Sequence, residues 1–534
     1  MNMRKQTLVC AGMALALGLT ACSSDGGRTA PETEVDAASA FPLEETIELE
    51  FFAQGNANAI KPFGEMQVFK NLQEKTNMTI QWTTATGADF TEKKNLIFAS
   101  GELPDAFYGT GVLTNNEVVQ YGGQGLIIPL EDLIAEYAPT LHAFLEERPD
   151  IKALITAPNG HIYSLPHVNE FDPAAEASAA MFVNQEWLDQ VGLDVPQTTD
   201  ELLEVLRAFK GKDLNGNGQA DEIPMSFRTR DTIRGVEALT GAFGKLLNGA
   251  NRFHVEDKTV YFTPMEPEYK AYVSYLHQLY SEGLIDPEVF SQEGQVYDAK
   301  IRAELPTVGV LFGWSRSVLW GQERENWTYV PISALKGPDG DQLWPRQPGG
   351  TTVGSFAIAN SNPYPELTMR WIDHVYEERT SVEHAFGPFG SHLYEADNGK
   401  IGLHWPPEGT AEGAFRVQET PGPGAVYIIG DLIQRRPSQQ EKRELVEMYA
   451  PYTPEEVYPR LMMDEENVNR LAVLEPELFQ ENGYIDSQFT QWVLRGNIDA
   501  EWDAYVAQLK RMNIEEIVEI YQSNYDRFLA SQEQ

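Results

Sequence analysis

One loop carries oxygen-bearing side chains at a spacing that suits a hard cation. Counted from Asp213, acidic or amide side chains occupy positions 1, 3, 5 and 9, and Gly218 occupies position 6. Short arms at this spacing wrap around one Ca²⁺, and glycine permits the sharp turn between them. Position 12 is Pro224 instead of glutamate, so the loop predicts a structural calcium site and not a calcium switch; the alternative is a solvated Asn-Gly turn. The predicted ligands are Asp213, Asn215, Asn217, Gln219 (through its backbone carbonyl), Asp221 and Glu222.

A second group of side chains has the chemistry of a carbohydrate site. Aromatic faces cover the C–H face of a sugar ring, and planar polar groups bind its hydroxyls in pairs. Trp314 follows a strand-like segment at 307–310, and open α/β sheets bind ligands at strand ends. Each candidate also has a structural alternative, namely core packing, turn formation or a place in a surface loop. The candidates are Trp314, His167, Gln54, Asn56, Trp344, Arg346 and Tyr394.

Strands and helices alternate along the chain from Thr46 onwards. The predicted elements are strands at 46–53, 78–82 and 105–108 and helices at 65–75 and 90–100. Such alternation is typical of an open α/β sheet with helices on both faces. A second α/β stretch begins near Met181, a helix at 199–210 precedes the calcium loop, and the segment 484–528 is strongly helical.

The first 22 residues have the features of an export signal. Two cations precede a mostly apolar run, 7–21, which is too short to anchor stably across a bilayer. The run ends in two small residues before Cys22, as cleavage and acylation of a lipoprotein require. We therefore expect a signal peptide over 1–21, a lipid on Cys22, a flexible tether over 22–45 and a place on the outer face of the cell membrane. The alternative is an ordinary secreted protein with a chance cysteine.

Charge and cysteine content exclude several classes of function. The chain holds 40 Lys and Arg against 80 Asp and Glu, a formal net charge of −40. Nucleic-acid binding needs cations that neutralise phosphates, so this balance argues against it and against adsorption to anionic lipid. The two cysteines are Cys10 and Cys22, which leaves no thiol for a disulfide framework or a nucleophile beyond them. We expect a monomer that contacts the membrane only through its lipid.

A set of short motifs occurs in a fixed order between residues 46 and 528. The motifs are GELPD at 101–105, GLIIPLEDL at 125–133, YAP at 137–139, IYSLP at 162–166, WLDQVGL at 187–193, GLIDP at 283–287 and WDAY at 502–505. The set resembles the large lipoprotein branch of the extracellular solute-binding family one, and within it is most similar to alginate-oligosaccharide-binding proteins.

The resemblance implies an α/β fold of two lobes, each discontinuous in sequence, with the ligand clamped between them. It also implies that several segments cross from one lobe to the other. The expected division is a signal peptide at 1–21, the lipidated cysteine and tether at 22–45, an N-lobe at 46–166 with 352–395, and a C-lobe at 167–351 with 396–534.

The same resemblance implies a function and a place for some of the candidates. A member of this family captures an oligosaccharide and delivers it to the permease subunits of an ABC importer. Trp314 aligns with a stacking tryptophan of the family, and His167 stands where similar members carry a ligand-contacting aromatic. The family's other stacking aromatics fall near 427–444, where this chain has Arg435 and Arg436. A neutral ligand and a uronate both stay open.

Enzyme motifs give no competing assignment. The sequence has no Gly-x-Ser-x-Gly, His-Glu-x-x-His, Walker loop or Gly-x-Gly-x-x-Gly, and the match of Ser333 and Lys336 to Ser-x-x-Lys is of a kind common by chance. We expect no catalysis. The alternatives are a secreted polysaccharide-active enzyme and a carbohydrate-binding surface protein without a transport role. Product release from an oligosaccharide would favour the enzyme, and neighbouring permease genes would favour the transporter.

Overall fold

The structure is a computed structural model that describes most of the chain after residue 37. The predicted signal peptide, Cys22 and most of the tether lie outside the described residues. The described ranges are 38–56, 59–171, 179–229, 231, 235–247, 252–320, 329–346, 348–407, 412–422, 424–480 and 483–532.

Strands and helices alternate through the first part of the chain, and helices dominate the last hundred residues. The strands are β1 (Ile47–Gln54), β2 (Met78–Ala85), β3 (Ala106–Tyr108), β4 (Leu165–Asn169), β5 (Ala180–Asn184), β6 (Ile223–Met225), β7 (Phe253–Glu256), β8 (Thr259–Phe262), β9 (Val308–Gly313), β10 (Tyr329–Ile332), β11 (Thr351–Ile358), β12 (Leu393–Glu395), β13 (Ile401–Leu403) and β14 (Tyr427–Ile428). The helices are α1 (Gln67–Thr76), α2 (Gly87–Ser100), α3 (Asn115–Gly123), α4 (Glu131–Tyr137), α5 (Pro139–Glu147), α6 (Pro149–Ile155), α7 (Gln185–Val191), α8 (Thr199–Phe209), α9 (Pro267–Ser281), α10 (Gly294–Ile301), α11 (Arg316–Trp320), α12 (Pro365–Tyr376), α13 (Glu378–Phe386), α14 (Glu412–Arg416), α15 (Pro437–Tyr449), α16 (Glu465–Leu474), α17 (Pro476–Phe479), α18 (Tyr484–Arg495), α19 (Ile498–Arg511) and α20 (Ile514–Gln532). Short 3₁₀ helices lie at Phe63–Glu65, Val236–Phe243, Thr263–Met265, Gly430–Leu432 and Ala450–Tyr452.

The first sheet has the strand order β14-β4-β11-β3-β1-β2. β1 lies parallel to β2 and β3, whereas β11 runs antiparallel to both β3 and β4. The carboxyl ends of β1, β3 and β4 and the start of β11 therefore meet at one edge of the sheet. This edge is where the predicted ligand residues of the N-lobe would have to stand.

The first sheet is covered on both faces, because successive side chains of a strand point to opposite sides. Phe51 of β1 packs edge-on against Trp371 of α12, with ring centroids 5.3 Å apart. Its neighbour Phe52 stacks on Phe90 of α2 at 5.5 Å. Both phenylalanines are fully buried, as expected for a strand between two layers of helices.

The second sheet has the strand order β10-β5-β9-β6. β5 runs antiparallel to β9 and β10, and β6 runs parallel to β9. β9 is buried along its whole length, and α8 packs on it so closely that a Cβ at Gly309 would lie 2.5 Å from the Phe209 ring. Glycine is therefore required at this contact.

The C-terminal helices complete the core around the second sheet. Trp492 of α18, Tyr505 and Leu509 of α19 and Ile517 of α20 belong to the same buried cluster as the strands β5 and β9. The helical segment predicted at 484–528 is confirmed as α18 to α20.

Helix α15 connects the two sheets. It follows β14, which pairs with β4 in the first sheet. At its other end, the Tyr449 hydroxyl donates to the Ile332 carbonyl at 2.6 Å and accepts from the Met181 N–H at 3.1 Å, both in the second sheet. The connections from β4 to β5 and from β10 to β11 also pass between the sheets. We call α15 the crossing helix.

The observed architecture confirms the predicted α/β fold with two lobes. The five elements predicted between residues 46 and 108 are present as β1, α1, β2, α2 and β3, with small shifts at their ends. β14 lies within the 396–534 segment that the sequence division placed with the C-lobe, yet it pairs in the first sheet. The exact division into lobes stays a prediction. None of the helices in the described part of the chain has the length and apolar character needed to cross a membrane.

Candidate functional site

Two of the predicted ligand residues lie at the edge of the first sheet. Gln54, the last residue of β1, is exposed, and Asn56 in the following loop is half-buried. The loop after β3 approaches them, because a Cβ on Gly109 would lie 3.4 Å from the Cβ of Gln54. Gly109 has a φ of +139°, and its N–H donates to the Ser355 carbonyl at 3.0 Å. The loops that follow β1 and β3 therefore share this edge with β11.

A buried lysine that sequence reasoning missed holds the loop after β3 in place. Lys94 of α2 is 4% exposed, and its Nζ donates to the Val112 carbonyl at 3.1 Å and pairs with Glu117 at 2.6 Å. Glu117 in turn accepts from the Thr114 N–H and caps α3. A buried, hydrogen-bonded ion pair of this kind fixes a loop, because either partner alone would be an uncompensated charge.

His167 lies in β4 and is almost fully buried. Its Nδ1 is 3.1 Å from the Gly424 carbonyl, which fixes the proton on Nδ1. Burial lowers the pKa of His167 to about 4, the bond to the Gly424 carbonyl raises it, and the nearby Arg416 cation lowers it further. The imidazole is therefore neutral at physiological pH. In the unliganded protein it can offer a hydrogen bond or a ring face, and it carries no charge.

Trp314 stands directly after β9, at the edge of the second sheet, as its sequence context predicted. Its side chain is half-buried. The Nζ of Lys442, from the crossing helix, lies 4.1 Å from the centre of its ring system. Lys442 is itself only 3% exposed. A buried cation thus holds Trp314 from one side through a cation–π contact.

Trp344 is in the core, which differs from the expectation of a residue in an open cleft. It is 1% exposed, stacks on Tyr449 with ring centres 4.2 Å apart, and donates from Nε1 to the Ala179 carbonyl at 3.1 Å. The segment before β11 passes beneath the crossing helix, and the Trp344 N–H is bound by the Tyr452 carbonyl at 2.8 Å. The correct interpretation of Trp344 is core packing, because the side chain is buried, its ring stacks on Tyr449 and its indole N–H is bound.

Arg346 lies two residues further on, at a cavity of about 580 Å³. Its Nη2 donates to the Glu455 carbonyl at 2.6 Å. The cavity wall includes parts of β4 and β11 of the first sheet, the segment 455–460 and the end of α20. Its lining includes Arg148, Glu170, Arg346, Thr351, Tyr525 and Phe528. Among the predicted ligand residues, only Arg346 contributes to this lining.

Tyr394 lies on β12, in a hairpin with β13 that belongs to neither sheet. It is 39% exposed, and its ring centre is 4.8 Å from that of His404. The ring covers Gly402, where a Cβ would lie 2.2 Å from the Tyr394 Cζ, so glycine is needed beneath it. Part of the exposed surface of Tyr394 stays open to a ligand.

The predicted calcium loop lies between α8 and β6, with α8 before it and a strand after it as expected. Gly216 and Gly218 have φ values of +75° and +83°, which permit its tight turns. The Asp213 carboxylate accepts from the Gly218 N–H at 2.9 Å, and the Asn217 amide donates to Asp221 at 3.1 Å. Asp213, Asn217 and Asp221 therefore form hydrogen bonds within the loop.

Glu222 is the buried member of the loop. It is 7% exposed, and its Oε1 accepts from the N–H groups of Leu214 at 2.6 Å and Asn215 at 2.8 Å. Its Oε2 is buried without a hydrogen-bond partner. An orphaned carboxylate oxygen inside a loop of oxygen donors fits a hard cation. No cluster of three or more His, Cys, Asp or Glu with the geometry of a metal site occurs within the described ranges, so amide and carbonyl oxygens would have to complete the set.

Comparison with known proteins decides the family. The family model described as "Bacterial extracellular solute-binding protein" matches residues 67–385, more than half of the chain. The chain belongs to this family. The expected kinship with extracellular solute-binding proteins is therefore confirmed.

The solute-binding protein has a close curated relative along almost its whole length. It is 34% identical over 528 residues to the fructooligosaccharide ABC transporter substrate-binding protein FusA of Streptococcus pneumoniae serotype 4, with 96% of each chain covered. The solved structure of FusA in complex with kestose has a TM-score of 0.78, covering 90% of this chain and 99% of that one at 32% identity. Another FusA structure is described as an EF-hand mutant in complex with fructo-nystose, with a TM-score of 0.77.

Two further solved structures have the same fold. A human-milk-oligosaccharide-binding ABC-transporter-associated solute-binding protein from Bifidobacterium longum infantis has a TM-score of 0.79 at 26% identity, covering 90% of this chain and 99% of that one. The alginate-binding protein AlgQ2 has a TM-score of 0.64 at 23% identity, covering 91% of this chain and all of that one. The expected likeness to alginate-binding proteins thus holds for the fold, while FusA is nearer in sequence. These relatives are named as binding proteins and not as enzymes.

Sequence reasoning missed several residues that shape the candidate site of this solute-binding protein. Lys442 contacts Trp314, yet in sequence it is one cation on an amphipathic helix. Trp405 lies just after β13, and 51% of its surface is exposed. The proline that follows it is the only sequence signal that indicates a loop there. Arg436 contacts Trp405, but in sequence it is one of two arginines in a segment where the family carries aromatics, and nothing near it indicates its partner.

Proposed function

We propose that this protein is the substrate-binding component of an ABC importer and that it binds an oligosaccharide between its two lobes. The observation that carries the proposal is the 34% identity with a fructooligosaccharide-binding protein over 96% of both chains. At this identity and coverage the relative's ligand class is a direct guide to the chemistry to be tested. The protein would act as a monomer, pass its ligand to permease subunits and leave it chemically unchanged.

The placement of the candidate residues supports binding between lobes. Gln54 and Asn56 stand at the edge of the first sheet, and Trp314 stands at the edge of the second. Three connections join the sheets, so the lobes can close about a few residues, as in other two-lobe binding proteins. The sequence-based division, an N-lobe at 46–166 with 352–395 and a C-lobe at 167–351 with 396–534, is kept here as a proposal, except that β4 and β14 go with the N-lobe because they pair in the first sheet.

We propose a neutral oligosaccharide as the ligand. His167 is neutral at physiological pH because burial lowers its pKa to about 4, so it offers no positive charge to a uronate. Lys442 and Arg436 lie beneath tryptophan rings and are almost fully buried. Both cations are thereby engaged by aromatic rings and are shielded from a uronate, while the open ring faces can stack on a sugar.

The test is a calorimetric and thermal-shift screen of the full chain against kestose, nystose, milk tetrasaccharides and alginate oligosaccharides. A bound ligand at 100 times its Kd stabilises the folded protein by about 2.7 kcal/mol, which a melting curve detects easily. We expect a neutral oligosaccharide to bind and to be recovered intact. Absence of binding to every oligosaccharide, or release of shorter products, would overturn the proposal.

We propose that the loop 213–222 holds a structural Ca²⁺. The side chains of Asp213, Asn215, Asn217, Asp221 and Glu222 and the backbone carbonyl of Gln219 would hold it. The bound ion would neutralise carboxylates that the loop otherwise brings together. Support comes from the buried, unpartnered Oε2 of Glu222 and from the EF-hand named for FusA.

Removal of calcium is expected to destabilise the protein. EDTA should lower the melting temperature, and Ca²⁺ should restore it better than Mg²⁺, because flexible oxygen ligands suit the larger ion. Free Ca²⁺ at 100 times the Kd of the site would stabilise the folded protein by about 2.7 kcal/mol. The measurement is a melting curve with EDTA, with excess Ca²⁺ and with excess Mg²⁺.

The double variant Asp213→Ala with Asp221→Ala should melt at the same temperature with and without EDTA. Glu304→Gln removes an exposed carboxylate outside the loop and should retain the full EDTA effect. If EDTA does not change the melting temperature of the wild-type protein, the calcium site is ruled out.

We propose that a lipid on Cys22 anchors the protein to the outer face of the cell membrane. The support is the short apolar run that ends in small residues before this cysteine. Each buried acyl CH₂ contributes about 0.8 kcal/mol to membrane binding, so a multi-chain lipid holds a protein firmly.

Cys22→Ala is expected to release the protein from the membrane fraction or to leave it uncleaved. Cys10→Ala is the matched control, because this residue would be removed with the signal peptide, and it should change nothing. Fractionation and mass spectrometry of the processed N-terminus measure both. Normal processing and membrane attachment of the Cys22 variant would contradict the lipid anchor.

A further inference from the structure

Trp405 is a large aromatic side chain held open to solvent. It is the one tryptophan within the described ranges that is exposed, with 51% of its surface accessible. A single exposed apolar side chain is common on protein surfaces and does not mark a binding site by its exposure alone. What distinguishes Trp405 is the way its ring is held.

A buried arginine fixes the ring of Trp405. The Arg436 Cζ lies 4.6 Å from the ring centre, and Arg436 is only 8% exposed. Its Nη2 also donates to the carbonyl of His404, the residue before Trp405. Guanidinium and ring are therefore held by the same short segment. The tryptophan is a pre-organised surface, which lowers the entropic cost of binding to it.

Trp314 repeats this arrangement on the second sheet. It is backed by buried Lys442 at 4.1 Å, as Trp405 is backed by buried Arg436. Arg436 immediately precedes the crossing helix, and Lys442 lies in its second turn. The helix is tied to the Trp314 loop by the Arg316 Nε, which donates to Glu441 at 2.7 Å.

The crossing helix therefore carries one tryptophan platform near its start and another within its second turn. The two cations are six positions apart, which corresponds to about 9 Å along the helix axis and about 120° around it. Trp405 follows β13, whose Ile401 forms a bridge with Ile433 on the segment leading to this helix. A single sugar ring cannot stack on both platforms, so a ligand that used both would have to be a chain of sugars.

We propose that Trp405 is a second stacking subsite, which selects longer oligosaccharides over disaccharides. This inference rests on the proposed oligosaccharide-binding function. Trp314 holds the sugar common to all ligands, and Trp405 holds a sugar further along the chain. Its contribution to affinity thus depends on ligand length, which a purely structural role would not produce.

The experiment measures the affinity of wild type, Trp405→Ala and Trp405→Phe for sugars of increasing length. The probes are sucrose, kestose and nystose, or lactose with its tri- and tetrasaccharide extensions if the wild type prefers them. Trp405→Ala is expected to weaken tetrasaccharide binding about 10- to 30-fold and disaccharide binding less than twofold, as for a centrally placed aromatic contact. Trp405→Phe keeps an aromatic face and should recover most of the loss.

Leu96→Ala is the control, because it removes an exposed apolar side chain on α2. It should change no affinity. If Trp405→Ala binds every length as wild type does, or weakens all lengths equally, the second subsite is wrong while the oligosaccharide function stands. If the wild type binds no oligosaccharide, the proposed function fails and the subsite fails with it. A large fall in the unliganded melting temperature of Trp405→Ala would also overturn the assignment, since an exposed platform carries little of the fold.

Discussion

Trp344→Ala is expected to reduce the stability of the unliganded protein by about 3–5 kcal/mol, the usual cost of removing a buried aromatic side chain. The ring is 1% exposed and lies flat against Tyr449, and its N–H is bound by the Ala179 carbonyl. Alanine would leave a cavity and an unbound carbonyl, because the crossing helix cannot collapse onto the gap without moving its other contacts. The measurement is urea unfolding followed by near-ultraviolet circular dichroism.

The matched control is Trp405→Ala, which removes the same side chain from an exposed position. It should change the unfolding curve of the unliganded protein by less than about 0.5 kcal/mol, as surface substitutions usually do. If Trp344→Ala unfolds like wild type but loses ligand affinity, Trp344 is a cleft residue after all and the core assignment is wrong.

Trp314→Ala is expected to weaken binding of the best oligosaccharide by about 2–3 kcal/mol, a factor of about 30 to 150. Trp314 is half-buried at the end of β9 and is fixed by the Lys442 ammonium, so its ring is placed before the ligand arrives. Stacking combines burial of apolar surface with a shape match that water does not provide. Isothermal titration calorimetry measures the affinity directly.

The unliganded Trp314→Ala protein should melt close to wild type, which separates a cleft role from a core role. Trp314→Phe retains an aromatic face and should lose less affinity than the alanine variant. Normal binding by Trp314→Ala, or strong destabilisation of its unliganded form, would move the ligand site elsewhere.

The α/β fold was predictable because its signals are local. The alternation in β1 and β2 and the helical spacing of α1 and α2 are each complete within a dozen residues. The strand order was not predictable from such signals. β11 is inserted between β3 and β4, and nothing in the sequence near residue 351 indicates that neighbour.

The candidate site was likewise predictable from local sequence signals only in part. Trp314 could be placed from the strand that precedes it, and the calcium loop from the spacing of its oxygens. Trp344 could not, because its environment comes from Tyr449 and Tyr452, about a hundred residues further along the chain. The roles of Lys442 and Arg436 could not be predicted for the same reason, because they depend on tryptophans from other segments.

The strand order of the first sheet also sets the order in which the chain can fold during its synthesis. β3 and β4 are complete early, but β11 stands between them in the sheet, so they cannot be joined before Ile358 is made. At about 5–20 residues per second, synthesis from Tyr108 to Ile358 takes about 12–50 s. The buried cluster around the second sheet can be completed only later, because it includes helices that end near Gln532. Neither core can therefore be completed until part of the last third of the chain has been made, and a truncated product lacking that third would have neither lobe finished.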